Sequence, residues 1–286
     1  MKLITYEQLT PELARAGCFV TGMSNDAYHA YEGISKSGLD KVSRSPAHFY
    51  LSAQGTSSPA MRMGTIVHTA ILEPERFKEE YVLLKDISDK RKSEYKEAAK
   101  VFGSENVLTS KEVSSVASLQ ETIQADQPSA ELLASCDLFE LSAFVEHKGV
   151  LLRCRYDAFS SRDLVAVDLK TTQNSSRAEF AKSVSNYRYH VQDAHYSLVY
   201  ELITGKKLNA FKFLAVENEP PHCPMIYELS AESKLIGLHE LNKDLIAYKA
   251  ASENCEWIGY EQTNEPLDLP YWTVNAYEDE LDAEIV

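Results

Sequence analysis

Cysteine is sparse and scattered: the chain has five, Cys18, Cys136, Cys154, Cys223 and Cys255, an odd number with no C-x-x-C pair. That spacing argues against a disulfide framework, a structural zinc site and an iron–sulfur cluster, each of which needs clustered thiols. No apolar run approaches the length of a membrane span, and the N-terminal MKLITYEQLTPELARAG lacks the apolar core of a signal peptide. A cytoplasmic chain with reduced thiols, away from membranes, is therefore expected. No G-x-x-x-x-G-K-[ST] sequence occurs, so nothing speaks for ATP or a built-in motor. Internal repeats and long low-complexity linkers are missing too.

Basic charge is also in short supply. The formal net charge is -14, and no Lys or Arg follows Lys249, where ten acidic residues accumulate. Without those ten, 29 basic residues face 33 acidic ones, so most of the imbalance belongs to the tail. Affinity for phosphate depends on the local field rather than the total, and carboxylates that hold a metal count as negative until the ion arrives. The charge lowers the expectation of tight non-specific DNA binding without excluding a metal-loaded enzyme that acts on DNA. The acidic tail itself reads as a DNA mimic able to occupy a basic channel.

What is present is ordinary globular composition, 44% hydrophobic and 25% charged over 286 residues, enough for a sizeable core. SKSGLDKVS reads as a short helix, Ser45-Pro46 as the N-cap and first turn of another, and SAQGTSSPA as a loop. Met63, Val67, Ala70 and Ile71 share one face of a helix over about 61–72. Residues 82–135 look mostly helical and polar. Then LFELSAFVEH and VLLRCRYDAF, joined at Lys148-Gly149, read as a hairpin, with LVAVDLKTT as a third strand. A long helix over roughly 187–203 closed by Gly205, the strand NAFKFLAVE and a helix through SKLIGLHELNKDLIAYKAA complete an α/β core with a mixed sheet. The expected organisation is an N-terminal helical segment (1–60), a core (61–252) with a helical insertion at about 82–135, and an acidic tail (253–286).

Chemistry concentrates on the third strand. Residues two apart on a strand share a face, so Asp168 and Lys170 lie together opposite Val165, Val167 and Leu169. The preceding strand delivers Asp157 to the same end if the two pair through the SSRD turn. Two converging carboxylates make a hard-oxygen site suited to Mg²⁺, with Mn²⁺ as a substitute. A neighbouring lysine suits phosphodiester hydrolysis, which needs an oriented water and compensation of growing negative charge. A lone D-x-K is as a rule an exposed ion pair, and spacing by itself leaves both readings open.

The order of motifs adds to this. Gly64-Thr65-Ile66-Val67-His68, Asp157, Asp168 with Lys170, and Gln192 with Tyr196 resemble the RecB-like branch of the PD-(D/E)XK nuclease superfamily. The phrases GISKSGLDKVSRSPAHF, GTIVHTAILEPERF, GVLLRCRYDAF, DLKTT and NYRYHVQDAHY are similar to the exonuclease VIII (RecE) C-terminal nuclease domain family, from about residue 25 to about 250. The resemblance implies a restriction-endonuclease-like core with a mixed central sheet flanked by helices. It implies Asp157, Asp168, His68 and the Leu169 carbonyl as metal ligands, and Lys170 as the group that orients water and stabilises charge. Gln192 and Tyr196, four apart on one helix face, would face the site. Glu140 is a minor additional acid there, whereas Glu73 reads as a helix-end residue.

Arg153, Arg155, Arg188, Tyr189 and Arg44 are candidates for DNA contact, since arginine grips phosphate and aromatic rings stack on unpaired bases. The activity implied is ATP-independent exonucleolytic digestion of linear duplex DNA from 5′ ends, leaving 3′ tails for phage or prophage recombination. The implied partners are DNA ends, a single-strand annealing protein and further copies of the chain in a ring, with a tetramer suggested. A structure-specific endonuclease on the same fold, or a non-catalytic DNA-end-binding recruiter, are the alternatives.

Overall fold

The computed structural model describes residues 2–52 and 58–277. The chain opens with β1 (Leu3–Thr5), α1 (Pro11–Ala16), β2 (Cys18–Thr21), α2 (Asn25–Ala30), α3 (Lys36–Arg44) and α4 (Pro46–Tyr50). Next come α5 (Pro59–Leu72), α6 (Pro74–Glu80), β3 (Val82–Leu84), α7 (Ser93–Phe102), β4 (Val107–Thr109), α8 (Ser110–Ala125) and α9 (Gln127–Ala134). The central strands β5 (Leu138–His147), β6 (Val150–Ser160) and β7 (Val165–Thr172) follow, then α10 (Arg177–Asn186), α11 (Tyr189–Thr204) and β8 (Ala210–Glu217). β9 (Pro224–Glu228), α12 (Ala231–Asn254) and α13 (Tyr271–Asn275) end the described chain.

The main sheet has seven strands in the order β1-β2-β5-β6-β7-β8-β9. β1–β2 and β7–β8 pair in parallel, and the other four pairings are antiparallel. The β5–β6 hairpin turns at Lys148 and Gly149, both at positive φ (51° and 84°), as a two-residue primed turn requires. One sheet face packs through Leu152, Cys154 and Tyr156 onto Val191 and Tyr200 of α11 and Leu241 of α12. The opposite face packs through Ala158, Val167 and Leu169 onto Ile66 and Val67 of α5 and Leu119 of α8. The result is a mixed sheet between two helical layers, the architecture expected from the sequence.

Three details differ from the sequence reading. The first 60 residues carry more than helices: β1 and β2 are an edge pair of the main sheet, and at three and four residues they are too short to show period-two alternation. The insertion contains a parallel pair, β3–β4, beside its helices. The expected helix from Tyr187 is preceded by a second one, α10, and Arg188 in the left-handed region (φ 53°, ψ 44°) breaks the chain between them. The SAQGTSSPA loop falls largely outside the described residues, as does the end of the acidic tail after residue 277. Among the described residues, no helix is long and apolar enough to cross a membrane.

Candidate active site

The site lies where two strands part. β6 and β7 pair as far as Ala158–Val167, and the next rung would join Asp157 to Asp168. Instead the Asp157 carboxylate reaches across, and its Oδ2 accepts the Leu169 N–H at 2.8 Å. On the other side of β6, the β5 ladder runs 139–158 and 141–156 without a Glu140–Asp157 pair, and Glu140 adopts φ 49°. Alternation along β6 switches at the same point. Cys154 and Tyr156 face one core, whereas Ala158 faces the other. A left-handed glutamate in a strand costs about 1 kcal/mol. Here that distortion turns Glu140 toward Asp157.

From the facing layer α5 adds His68, whose Nδ1 is 3.5 Å from Asp157 Oδ2. His68, Glu140 and Asp157 offer ligand atoms that all lie within 4.8 Å of one another. Burial, reinforced by the charges of Asp168 and Glu140, pushes the Asp157 carboxyl well above the usual carboxylate range. Burial also lowers the pKa of His68, against the pull of Glu140, and so favours the neutral imidazole that binds metals. One imidazole and two carboxylates, with more negative charge gathered than the protein neutralises, fit a divalent cation of the Mg²⁺ or Mn²⁺ kind.

Asp168 sits beside this triad rather than inside it. It is 3% exposed, and its Oδ2 lies 2.7 Å from Lys170 Nζ while its Oδ1 accepts a hydrogen bond from Gln192 Nε2. Asp157 and Asp168, the two carboxylates expected to share an ion, are thus neighbours, with Asp157 grouped with His68 and Glu140 and Asp168 engaged beside them by Lys170 and Gln192. Burial opposes the charge on Lys170, but Asp168, Tyr189 and Asp157 outweigh it and hold the pKa above that of ordinary lysine. Lys170 also lies 4.6 Å from the centre of the Tyr189 ring. The Leu169 backbone lies close enough to His68 to oppose the lowering of its pKa.

A cavity of about 840 Å³ opens over the cluster, lined by His68, Glu140, Arg155, Asp157 and Tyr196 and extending along α5 and α6 to Arg76. Gln192 and Tyr196, one turn apart on α11, both reach the site, Gln192 through Asp168 and Tyr196 through the cavity wall. Glu73 ends α5 and binds Arg76 Nη1 at 2.7 Å.

The residues expected to contact DNA each have partners within the protein. Arg153 donates to the carbonyls of Tyr28 and His29, and its guanidinium lies over the Tyr28 ring. Arg155, 7% exposed, binds Glu140 at 2.5 Å and the Met23 carbonyl at 2.9 Å. Arg188 is divided among Asp40, Glu240 and Asp244 at 3.2, 3.1 and 2.6 Å. Arg44 donates to the Tyr260 hydroxyl at 3.1 Å. Tyr189 packs inward, stacked on Phe213. Arg155 and Arg188 are paired with carboxylates, whereas Arg153 is held by carbonyls and an aromatic ring and Arg44 by a hydroxyl. Glu140 is the opposite case: its full membership of the cluster follows from strand register, which no local spacing announces.

A family model described as a PDDEXK-like domain of unknown function (DUF3799) matches residues 35–264. The chain belongs to that family. The match speaks for the PD-(D/E)XK superfamily as a whole rather than for one branch of it. Among solved structures, this PDDEXK-like chain is similar to a candidate exonuclease from Eubacterium rectale, at 16% identity and a TM-score of 0.57, covering 94% of this chain and 98% of that one. At that identity the likeness shows the fold alone. SSO0001 (13% identity, TM-score 0.28, covering 68% and 88%) and VC1899 from Vibrio cholerae (10%, 0.20, 78% and 58%) lie further away and carry no argument. No curated protein matches the sequence.

Proposed function

We propose that this PDDEXK-like protein is a Mg²⁺-dependent exodeoxyribonuclease that degrades linear duplex DNA. The observation that supports this most is the meeting of His68, Glu140 and Asp157 at the point where β6 and β7 separate, with the Asp168–Lys170 pair alongside. A divalent cation held by His68, Glu140 and Asp157 would polarise the phosphodiester and offset its charge. Lys170 presents an ammonium toward the same point, where it orients the attacking water and balances the charge that grows on the non-bridging oxygens. Asp168 fixes that ammonium from one side, and Gln192 fixes Asp168 in turn. The water oxygen bonds to phosphorus as the bond to the leaving oxygen breaks. The water's proton passes to solvent, and the leaving oxygen takes one up. Tyr196 and the cavity wall position the strand.

The resemblance to the RecE family supports the finer assignment: 5′-to-3′ digestion leaving 3′ tails, a role in phage or prophage recombination beside a single-strand annealing protein, and assembly into a ring of identical subunits.

The test is digestion of linear duplex labelled at the 5′ or the 3′ end, with a covalently closed circle alongside, in Mg²⁺ and in EDTA. Wild type and Lys170→Ala are compared. Metal-dependent release of nucleotides from 5′ ends, an intact circle, and a loss of about a hundredfold or more in the variant support the proposal. Cutting of the circle would reassign the protein as an endonuclease. DNA binding without cleavage in either Mg²⁺ or Mn²⁺ would make it a non-catalytic end-binding protein.

A further inference from the structure

Beside Lys170 an aromatic ladder climbs out of the core. Phe213 of β8 stacks on Tyr189 at 5.6 Å and 25°, and Tyr189 stacks on Tyr187 at 5.7 Å and 27°. The outermost ring, Tyr187, is 62% exposed. Two ammonium groups flank the middle ring: Lys170 at 4.6 Å and Lys36 at 5.7 Å from its centre. Lys36 also donates to the Tyr187 carbonyl at 2.5 Å and pairs with Asp40 at 2.7 Å. The next residue, Arg188, is anchored on three carboxylates. Tyr187 is therefore an exposed ring on a fixed backbone, with one face stacked on its neighbour.

The ring-to-ring and ring-to-ammonium separations place Tyr187 within about 10 Å of Lys170 Nζ. A phosphate held at Lys170 thus has a ring within reach of the base of the same or the adjoining nucleotide. Bases inside a duplex are stacked and paired, so only an unpaired base has a free face to offer. Stacking on an aromatic platform is sequence-tolerant, because every base has such a face.

Resting on the nuclease reading above, we infer that Tyr187 is a base-stacking subsite that receives an unpaired nucleobase at a frayed or single-stranded DNA end. The enzyme then engages strands whose terminal base has left the helix, and the ladder through Tyr189 transmits that contact to the lysine beside Asp168.

The experiment uses the full chain and a duplex whose end is frayed by mismatches and carries 2-aminopurine, a base whose fluorescence is quenched by stacking. Binding is measured in EDTA, where cleavage is not needed for the signal. Wild type and Tyr187→Phe are expected to quench the probe. Tyr187→Ala is expected to lose the quench and about tenfold in affinity for the frayed end, with the salt dependence of binding unchanged because phosphate contacts are kept. The exposed position of Tyr187 leaves the fold intact in both variants. Equal quenching and affinity in Tyr187→Ala would overturn the inference. The two readings fail separately. Cleavage by wild type in Mg²⁺ with no effect of Tyr187→Ala removes only the subsite, whereas Tyr187-dependent quenching without cleavage removes only the nuclease.

Discussion

Asp193 follows Gln192 on α11 and is 2% exposed. Its Oδ1 accepts the Ser197 hydroxyl at 3.0 Å, while its Oδ2 has no hydrogen-bond partner among the described residues. The nearest cation, Lys234, stands 3.9 Å away and is already bonded to Glu228 at 2.9 Å. Burial outweighs Lys234 and Ser197 and pushes the Asp193 carboxyl from 3.8 up to about 6. A pKa raised by folding means that the native state holds the proton more tightly than the unfolded chain. The stability it contributes is fully present below about pH 4 and is lost as pH rises through about 6. A gap of about two pH units corresponds to about 3 kcal/mol. Asp193→Asn removes the ionisation and keeps the shape, so the variant should gain up to about 3 kcal/mol over wild type at pH 8, roughly 6 °C in Tm for a chain of this size. Urea unfolding of both proteins at pH 4, 6 and 8 measures this. The advantage should shrink toward zero at pH 4. A difference that stays flat with pH, or a variant less stable at pH 8, would refute the reasoning.

Arg188→Ala strands Asp244, whose side chain is only 4% exposed. The expected loss is about 3 kcal/mol in urea unfolding, the low end for a broken buried pair because Asp40 and Glu240 remain open to water; a shallower salt dependence of DNA binding would restore a phosphate contact for Arg188. A Cβ at Gly237 would stand 2.1 Å from the His190 carbonyl, so Gly237→Ala must push α12 away from α11. A loss of about 1–3 kcal/mol is expected, with reduced nuclease activity as α11 shifts Gln192, and unchanged stability would show that the two helices are not in close register. Trp257 stacks on Phe49 and Tyr50 of α4, and Tyr260 engages Arg44 at the end of α3, so the start of the acidic tail is tethered to both helices. Removing the residues after Cys255 should raise DNA affinity at low salt, and equal binding would dismiss the tail as a competitor for DNA.

How much of this site was legible in the sequence depended on whether the signal was local. Asp168 and Lys170 are two apart on a strand, Gly64 and His68 one turn apart on a helix, and Gln192 and Tyr196 likewise, so each pair shares a face whatever the rest of the chain does. The long strands β5 to β8 were equally readable, because eight to eleven residues rich in apolar and β-branched side chains, bounded by turn residues, outlast local noise. The edge strands β1 and β2 have no such length and owe their structure to the partner beside them.

The arginines show the complementary limit. Arg153, Arg155 and Arg188 sit near the candidate site in sequence, which suggested phosphate contacts, but their partners are supplied by distant segments: Tyr28 and His29, Glu140 and Met23, Asp40 with Glu240 and Asp244. A guanidinium carries the same pattern in sequence whether it faces phosphate or carboxylate; what decides between them is the register of strands and helices brought together by folding. Glu140 obeys the same logic. Nothing in LFELS distinguishes it from a surface glutamate, and only the missing rung opposite Asp157, with φ 49°, turns it toward His68. In this acidic protein the cations around the cluster are paired internally, Arg155 with Glu140, Arg188 with Asp244, Lys170 with Asp168 and Lys36 with Asp40, and Lys170 and Lys36 are the two that also share the Tyr189 ring.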